Sequence, residues 1–391
     1  MASPTPPESS FALESIPGFD CEANDRHYSE LVSLIAQREA VAVVGAGISR
    51  PIGYDTWGEL LQHLAERAND IRPGLVLDPW PTEPHDYLAA AQRIRDHITD
   101  GGEPKAYHDE IGRRFSRSDD TIRERLTPLH TDLVRLPFRG FVTTNYEQVI
   151  EIALGVVYPE RFPPPESKAQ SVAIWKGNDS RLISPAVRSI AAPEGVRYVL
   201  HLHGVYWTES SIILSADEYA EAYGIPDLGL PRGQPSADTH RTPPAPRTPS
   251  SLLLLTTSLL ATRRVVFLGF SLDDVYFTEV LRRVSNMLWE WRTATHFALM
   301  PIERERAKEH LLRADDVRSK MGIETVFYPV AEGDHGALAD LVARIAKDVG
   351  VAVTGPYHRV SAVPEGVRPP FPEWAQRNNA QQLERIERRA S

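Results

Sequence analysis

The sequence of 391 residues contains a single cysteine, Cys21. A disulfide within the chain is therefore excluded, and so low a cysteine content is typical of proteins from a reducing compartment. A zinc site made of several cysteines of one chain is excluded as well. From the cysteine content we expect the protein to be cytoplasmic.

The sequence also lacks a hydrophobic run long enough to cross a membrane. Its most apolar stretch, residues 252–261, is short and contains Thr256, Thr257 and Ser258. The N-terminus shows no basic region followed by an apolar one, so we expect no secretory signal. A net charge of -10 and a pI of about 5.8 disfavour direct binding to nucleic acid or to an anionic membrane.

The hydrophobic content of 42% and the charged content of 25% are those of an ordinary folded protein. We expect a flexible N-terminal arm over 1–24, an α/β body over 25–350 and a C-terminal tail over 351–391. A helical subdomain at about 72–138 is predicted to be inserted in the body. The Pro-rich segment 225–250 is predicted to be a mobile loop, because it has too little apolar surface to bury.

Hydrophobic periodicity predicts alternating strands and helices in the body. One strand is expected to end just before Asn145, and the others are predicted at 40–45, 171–175, 197–202, 211–215, 264–269, 295–300 and 324–328. Thr56 and Glu59 have the spacing of a capping box at a helix start. The other main helices are predicted at 28–38, 86–99, 104–116, 121–135, 251–261, 273–289, 303–313 and 335–348.

Four apolar segments end in small or polar residues, which is typical of buried parallel strands where they pass into loops. They read VVGAGIS at 43–49, VTTNY at 142–146, HLHG at 201–204 and VFLGFS at 266–271. In open α/β sheets, ligands bind outside the carboxyl ends of the strands. We therefore expect two glycine turns, an Asn and a His to share one edge, as a nucleotide site requires.

The first glycine turn, Gly45-Ala46-Gly47-Ile48-Ser49, has two interpretations. Glycines after a strand let backbone N–H groups approach phosphate oxygens. The complete dinucleotide fingerprint is absent, however, because Arg50 stands where its third glycine belongs. Taken by itself, this segment also fits a tight turn without a ligand.

Asn145 and the two histidines can likewise be interpreted either as structural or as functional residues. Asn145 is either part of a capped helix start, with Thr144 and Glu147 at capping-box spacing, or a non-titrating donor and acceptor in an active site. His201 and His203 lie two residues apart on a strand and so point to one face. Each is a core histidine, half of a metal pair without an obvious third ligand, or a general base.

The second glycine turn, at Gly269 and Ser271, is equally open to two interpretations. Ser271 with Asp274 matches a helix cap, and this alone would explain the pattern. The other interpretation is a second backbone loop that contacts a nucleotide.

Taken together, the four segments resemble the sirtuin superfamily, and specifically the zinc-less sirtuin-like NADases of bacterial antiphage defence. The resemblance covers about 40–300 and rests on Gly-Ala-Gly-Ile-Ser followed by Trp57, Thr-Thr-Asn-Tyr, Leu-His-Gly and Leu-Gly-Phe-Ser-Leu-Asp-Asp. It implies a Rossmann-like parallel sheet with helices on both faces and a smaller helical subdomain. It also implies NAD as the substrate and no zinc.

The resemblance assigns roles to individual residues. Asn145 would hold the nicotinamide ribose or the attacking water, and His203 would be the base, with His201 as the substitute if the register is shifted. The second turn would contact the adenosine half, through Gly269 and Ser271. The first turn would line the phosphate and ribose of NAD, through Gly45, Ala46, Gly47 and Ser49.

The implied activity is that of an NAD+ glycohydrolase, which releases nicotinamide and ADP-ribose or a cyclic form. Because constant NAD+ loss would be toxic, gating is expected from homo-oligomerisation or from a partner, either a HerA-type ATPase or an Argonaute-type protein. Two alternatives are an NAD- or ADP-ribose-binding regulatory module and a protein deacylase. Sirtuin deacylases carry a four-cysteine zinc site, which this chain lacks, and an Asp where this chain has Glu147.

Overall fold

The computed structural model describes residues 11–81, 84–159, 171–173, 199–225, 250–272, 274–287, 296–330 and 336–350. Within these residues seven strands form one sheet, in which every pairing is parallel and the order is β3-β4-β2-β1-β5-β6-β7. The strands are β1 (Ala40–Val44), β2 (Phe141–Thr143), β3 (Ser171–Ala173), β4 (Val199–His201), β5 (Arg264–Leu268), β6 (His296–Ile302) and β7 (Ile323–Pro329).

Thirteen α-helices occur in the same part of the chain. They are α1 (Cys21–Ala36), α2 (Ala46–Ser49), α3 (Trp57–Ile71), α4 (Pro84–Asp100), α5 (Ala106–Phe115), α6 (Asp119–Arg125), α7 (Pro128–Arg135), α8 (Val149–Val157), α9 (Ala216–Tyr223), α10 (Ser251–Thr262), α11 (Val275–Met287), α12 (Ala307–Met321) and α13 (Ala337–Asp348). None of them is both long enough and apolar enough to cross a membrane.

The strand β1 shows why the sheet is covered on both faces. All five residues of β1 are buried, and successive side chains of a strand point to opposite faces. Val41 and Val43 belong to a core cluster shared with α9, α10, α11 and α12, whereas Ala42 and Val44 belong to one shared with α1, α7, α8 and α13. The predicted fold class, a Rossmann-like parallel sheet with helices on both faces, is confirmed.

A third core cluster joins α3, α4, α5 and α6, beside the sheet. It includes Leu61, Ile94 and Tyr107, all of which are fully buried. The helical layer begins at α3, before the predicted boundary at residue 72, and α7 packs on the sheet through Leu129 and Leu133 instead. The bounds of the helical subdomain, predicted at about 72–138, stay a prediction.

The helix predicted over 28–38 begins earlier, at Cys21, because Asp20 accepts a hydrogen bond from the backbone of Ala23 at 2.9 Å and caps it. Residues 11–24 of the arm predicted over 1–24 therefore belong to the packed structure, where Ile16 is 3% exposed. The helix predicted over 121–135 is two helices, since Pro128 starts α7.

The strand predicted over 211–215 is wrong. Ile212 and Leu214 pack in the helical cluster, whereas Ile213 packs in a cluster of the sheet, so two cores produce the alternation that a strand would show. Two predicted segments lie almost entirely outside the described residues. These are the loop at 225–250, apart from residues 225 and 250, and the tail at 351–391.

Candidate active site

The two glycine turns meet because β1 and β5 are neighbours, with Val44 opposite Leu268. The amide of Gly47 donates to the carbonyl of Gly269 at 2.9 Å, and that of Gly45 donates to Leu268 at 3.0 Å. A Cβ on Gly45 would lie 2.4 Å from the Gly269 carbonyl oxygen. These amides are therefore occupied, and the two glycines of the first turn serve the close approach of two backbones.

Gly269 is required for a second reason. Its φ of +58° lies in the left-handed region, which favours glycine, and a Cβ there would come within 2.8 Å of the amide nitrogen of Ile48. The turn after β5 is thus in direct contact with α2, the short helix that follows β1. The contact holds both turns at the carboxyl edge of the sheet.

Asn145 is brought to the same edge by β2, which pairs with the other side of β1. The hydroxyl of Thr143 donates to the carbonyl of Val44 at 2.8 Å and accepts from the amide of Asn145 at 3.0 Å. The side-chain nitrogen of Asn145 then donates to Ser49 Oγ at 3.1 Å and to Glu147 Oε1 at 2.9 Å. The first glycine turn and the Asn loop are therefore joined by side chains as well as by the sheet.

The spacing of Thr144 and Glu147 suggested a capping box, but the two residues do not form one. The helix α8 begins later, at Val149, whose amide donates to Glu147 Oε2 at 2.6 Å. The other carboxylate oxygen accepts from Ser49 Oγ at 2.5 Å. Burial raises the pKa of Glu147, while these hydrogen bonds act in the opposite direction. Because Ser49 and Glu147 occupy the amide nitrogen of Asn145, its side-chain oxygen faces away from them.

His201 is the last residue of β4 and is completely buried. Its Nδ1 lies 2.8 Å from the carbonyl oxygen of Asn145, and its Nε2 lies 2.7 Å from Glu151 Oε1. A carbonyl and a carboxylate both accept, so this geometry favours an imidazolium that donates from both ring nitrogens. Burial lowers the pKa of His201, but the charge and hydrogen bond of Glu151 outweigh it and the net shift is upward.

His203 lies two residues further on and has different surroundings. Its Nδ1 lies 3.1 Å from the hydroxyl of Tyr219, and its Nε2 lies 3.0 Å from that of Tyr223. Burial lowers the pKa of His203, and the nearby charge of Asp274 opposes this only in part. The imidazole is therefore neutral near pH 7, the form in which it accepts a proton.

A cleft of about 640 Å³ opens along this edge of the sheet. Its volume lies within the range of small-molecule sites. His201 is not among the lining residues, so it takes no direct part in this wall. All the predicted catalytic and NAD-contacting residues line it, namely Gly45, Ala46, Gly47, Ser49, Asn145, His203, Gly269 and Ser271.

The sequence did not indicate several other lining residues. Tyr219 of α9 gave no signal beyond the capping box that opens its helix, with Ser215 and Glu218. Asp274 was expected to cap α11 together with Ser271, but Asp274 alone accepts from the amide of Phe277, at 2.8 Å. The helical layer contributes an aromatic wall made of Tyr54, Trp57, Tyr87, Phe115 and Tyr146.

A family model described as the SIR2-like domain matches residues 139–325. This part of the chain is similar to the SIR2-like domain. The match includes the Asn145 loop, β4 with both histidines, and the turn at Gly269, and it confirms the resemblance to the sirtuin superfamily. In the described part of the chain, no group of three or more His, Cys, Asp and Glu side chains is placed to hold a metal ion.

Two curated relatives extend the similarity beyond the SIR2-like domain. The chain is 26% identical over 284 residues to the NAD(+) hydrolase ThsA of Bacillus cereus (strain MSX-D12), a match that covers 72% of this chain and 46% of the relative. It is 27% identical over 184 residues to the NAD(+) hydrolase ThsA of Acinetobacter baumannii (strain 532279), covering 44% and 33%. The matches therefore span less than half the length of either relative.

The pair of His201 and Glu151 predicts a pH-dependent stability. Because the pKa of His201 is raised in the folded protein, its contribution is complete below the unfolded value of about 6.5 and is lost as the pH rises through the folded value. We expect the free energy of unfolding, measured by urea titration, to fall over that window in the wild type. His201→Gln should flatten the fall.

His63→Gln is the matched control, because His63 lies on the exposed side of α3 and its side chain is 34% exposed. It should keep the wild-type pH dependence. Identical slopes for the wild type and His201→Gln would show that His201 is not the titrating group.

Proposed function

We propose that the protein is an NAD+ glycohydrolase that cleaves the bond between nicotinamide and ribose. The observation that carries the proposal is the meeting, at one cleft, of two interlocked glycine turns, the Asn145 amide and a neutral His203. The similarity to two proteins named NAD(+) hydrolase supports the same reaction. The products would be nicotinamide and ADP-ribose, with cyclisation as a variant.

Cleavage of the bond to nicotinamide depends less on a strong nucleophile than on groups that stabilise the transition state. The nicotinamide ring is positively charged in NAD+ and leaves as a neutral molecule, so the ribose carbon develops oxocarbenium character in the transition state. A site that excludes bulk water and places negative charge nearby stabilises that state. The buried carboxyl of Glu147 is among the lining residues of the cleft, and it would supply such a charge in its ionised form, which the hydrogen bonds from Ser49, Asn145 and Val149 favour.

Asn145 and His203 would divide the remaining work. The side-chain oxygen of Asn145 faces away from Ser49 and Glu147, so it is available to accept from a ribose hydroxyl or from the attacking water. His203 is neutral and would take up the proton that the water or hydroxyl loses. The glycine turns would place the diphosphate and the two riboses.

Two alternatives make different demands on the site. A regulatory module that binds NAD or ADP-ribose without turnover would not specifically require Asn145 and His203. A deacylase would require an acyl-lysine channel, which in sirtuin deacylases lies beside the zinc site that this chain cannot form with one cysteine. Tight NAD+ binding without turnover would favour the first, and NAD+-dependent release of acetate from a peptide would favour the second.

We expect Asn145→Ala and His203→Ala each to lower the turnover of NAD+ by at least about 100-fold, the usual contribution of a positioned acid or base. Mass spectrometry of nicotinamide and ADP-ribose measures the loss. His63→Ala is the control, because the side chain of His63 is 34% exposed and is not among the lining residues of the cleft. Calorimetric binding of ADP-ribose checks that the variants keep a folded site. Undiminished turnover in the double variant would refute the proposal.

Glu147→Gln tests whether the carboxylate orients Asn145. The carboxylate of Glu147 now accepts from three donors, which are Ser49, Asn145 and Val149, whereas a glutamine has one side-chain oxygen to accept from them. The side-chain amide of Asn145 can then flip, so that its oxygen and nitrogen exchange places. We expect kcat to fall about tenfold with little change in KM, because a group used mainly in the transition state is misplaced. A wild-type kcat in this variant would show that Asn145 does not depend on Glu147.

The gating of this activity and a role in antiphage defence belong to the same proposal. They rest on the toxicity of constant NAD+ loss and on the resemblance to defence NADases. We expect a homo-oligomer, or activation by a HerA-type ATPase or an Argonaute-type partner. Light scattering at micromolar concentration tests the oligomer, and a monomer that turns over NAD+ at full rate would count against this gating.

A further inference from the structure

His203 has no ring nitrogen free to meet a substrate directly. Its Nδ1 is bonded to the hydroxyl of Tyr219 at 3.1 Å and its Nε2 to that of Tyr223 at 3.0 Å. The His203 ring also contacts the Tyr219 ring edge-on, with 4.8 Å between centroids. A proton that reaches His203 in this arrangement therefore passes through one of the two hydroxyls.

Only one of these tyrosines belongs to the wall of the cleft. Tyr219 is among the lining residues, together with His203 and Asp274, whereas Tyr223 is not and is completely buried. Tyr223 is stacked against Tyr219 with 5.9 Å between their ring centroids. Of the two tyrosines bonded to His203, Tyr219 is thus the one whose side chain borders the cleft.

Asp274 completes the arrangement with a negative charge. Its Oδ2 lies 3.0 Å from the hydroxyl oxygen of Tyr219, where it competes with Nδ1 of His203 for the hydroxyl hydrogen, and 3.5 Å from Nε2 of His203. Its other oxygen accepts from the amide of Phe277 and so is held by the start of α11. The carboxylate is placed to compensate a positive charge that appears on the imidazole.

We infer that Tyr219 relays the proton between the reacting hydroxyl or water and His203, and that Asp274 stabilises the resulting imidazolium. The inference rests on the proposed NAD+ hydrolysis and extends it to two residues. The Tyr219 hydroxyl has one hydrogen and two acceptors within reach, Oδ2 of Asp274 and Nδ1 of His203. Before the step, His203 carries its proton on Nε2, and the hydroxyl hydrogen points to Nδ1 in place of Asp274. This tautomer leaves the lone pair of Nδ1 to receive the proton.

The attacking water bonds to the anomeric carbon while the carbon–nitrogen bond to nicotinamide breaks and its electron pair leaves on the ring nitrogen. The water gives one proton to the oxygen of Tyr219, which passes its own proton to Nδ1 of His203. Burial holds the pKa of Tyr219 well above its ordinary value, so the two transfers occur together and no free tyrosinate forms.

The decisive comparison is Tyr219→Phe against Tyr223→Phe. Each removes one hydroxyl bonded to His203 from a buried, stacked ring, and Tyr219→Phe also removes the contact with Asp274, which Asp274→Asn tests separately. We expect kcat for NAD+ to fall about 100-fold in Tyr219→Phe, with KM little changed, and to stay within about threefold of wild type in Tyr223→Phe. Equal kcat values in the two variants would overturn the relay.

Asp274→Asn gives a readout that a loss of packing would not produce. The substitution keeps an oxygen to cap α11 but removes the charge that raises the pKa of His203. We expect the acid limb of the pH profile of kcat to move to lower pH, since the base then stays unprotonated in more acidic solution. The titratable groups that face His203 are Asp274, Tyr219 and Tyr223. An unmoved acid limb would remove Asp274 from the mechanism.

The tautomer of His203 tests the relay without turnover. Nitrogen-15 NMR of the full-length wild-type protein near pH 8, without substrate, should show Nε2 protonated and Nδ1 as a hydrogen-bond acceptor. A proton on Nδ1 would mean that Tyr219 donates to Asp274 alone, and the relay would be wrong. Absence of NAD+ cleavage by the wild type would count against the proposed function, whereas this spectrum judges the relay independently.

Discussion

The contact between the two glycine turns is the constraint on which the site depends. The turns after β1 and β5 touch backbone to backbone through Gly47 and Gly269, a distance that no Cβ would permit. Because α2 starts within the first turn, this contact also sets the position of Ser49. Ser49 in turn holds Asn145 and Glu147, so the sheet, the turns and the polar cluster form one connected support.

Two histidines two residues apart acquire opposite properties from their surroundings. His201 ends its strand between a backbone carbonyl and a carboxylate, and both neighbours require it to donate. His203 follows the strand and meets two hydroxyls, which accept or donate as required. His201, with its raised pKa, therefore supports the Asn145 loop, whereas His203, with its lowered pKa, borders the cleft.

The relation between sequence and site differs from one residue to the next. Gly45, Asn145, His203 and Gly269 were predictable because strand ends in a parallel sheet share one edge, and short motifs mark those ends. Tyr219 lies about 70 residues from Asn145, on a helix whose sequence shows only a capping box. Tyr219 reaches the cleft because α9 packs beside α11 against the same face of the sheet, a contact between distant segments that no local pattern encodes.

The sequence by itself determined the α/β alternation, the positions of the strand ends and the exclusion of a cysteine zinc site, because periodicity and composition are local properties. The tertiary structure alone decided which strands are neighbours, and hence that the turn at Gly269 presses on the turn at Gly47. It also decided the protonation of the two histidines, since burial and partners set a pKa. Glu147 shows the difference: its spacing suggested a helix cap, whereas the fold made it the partner of Ser49 and Asn145.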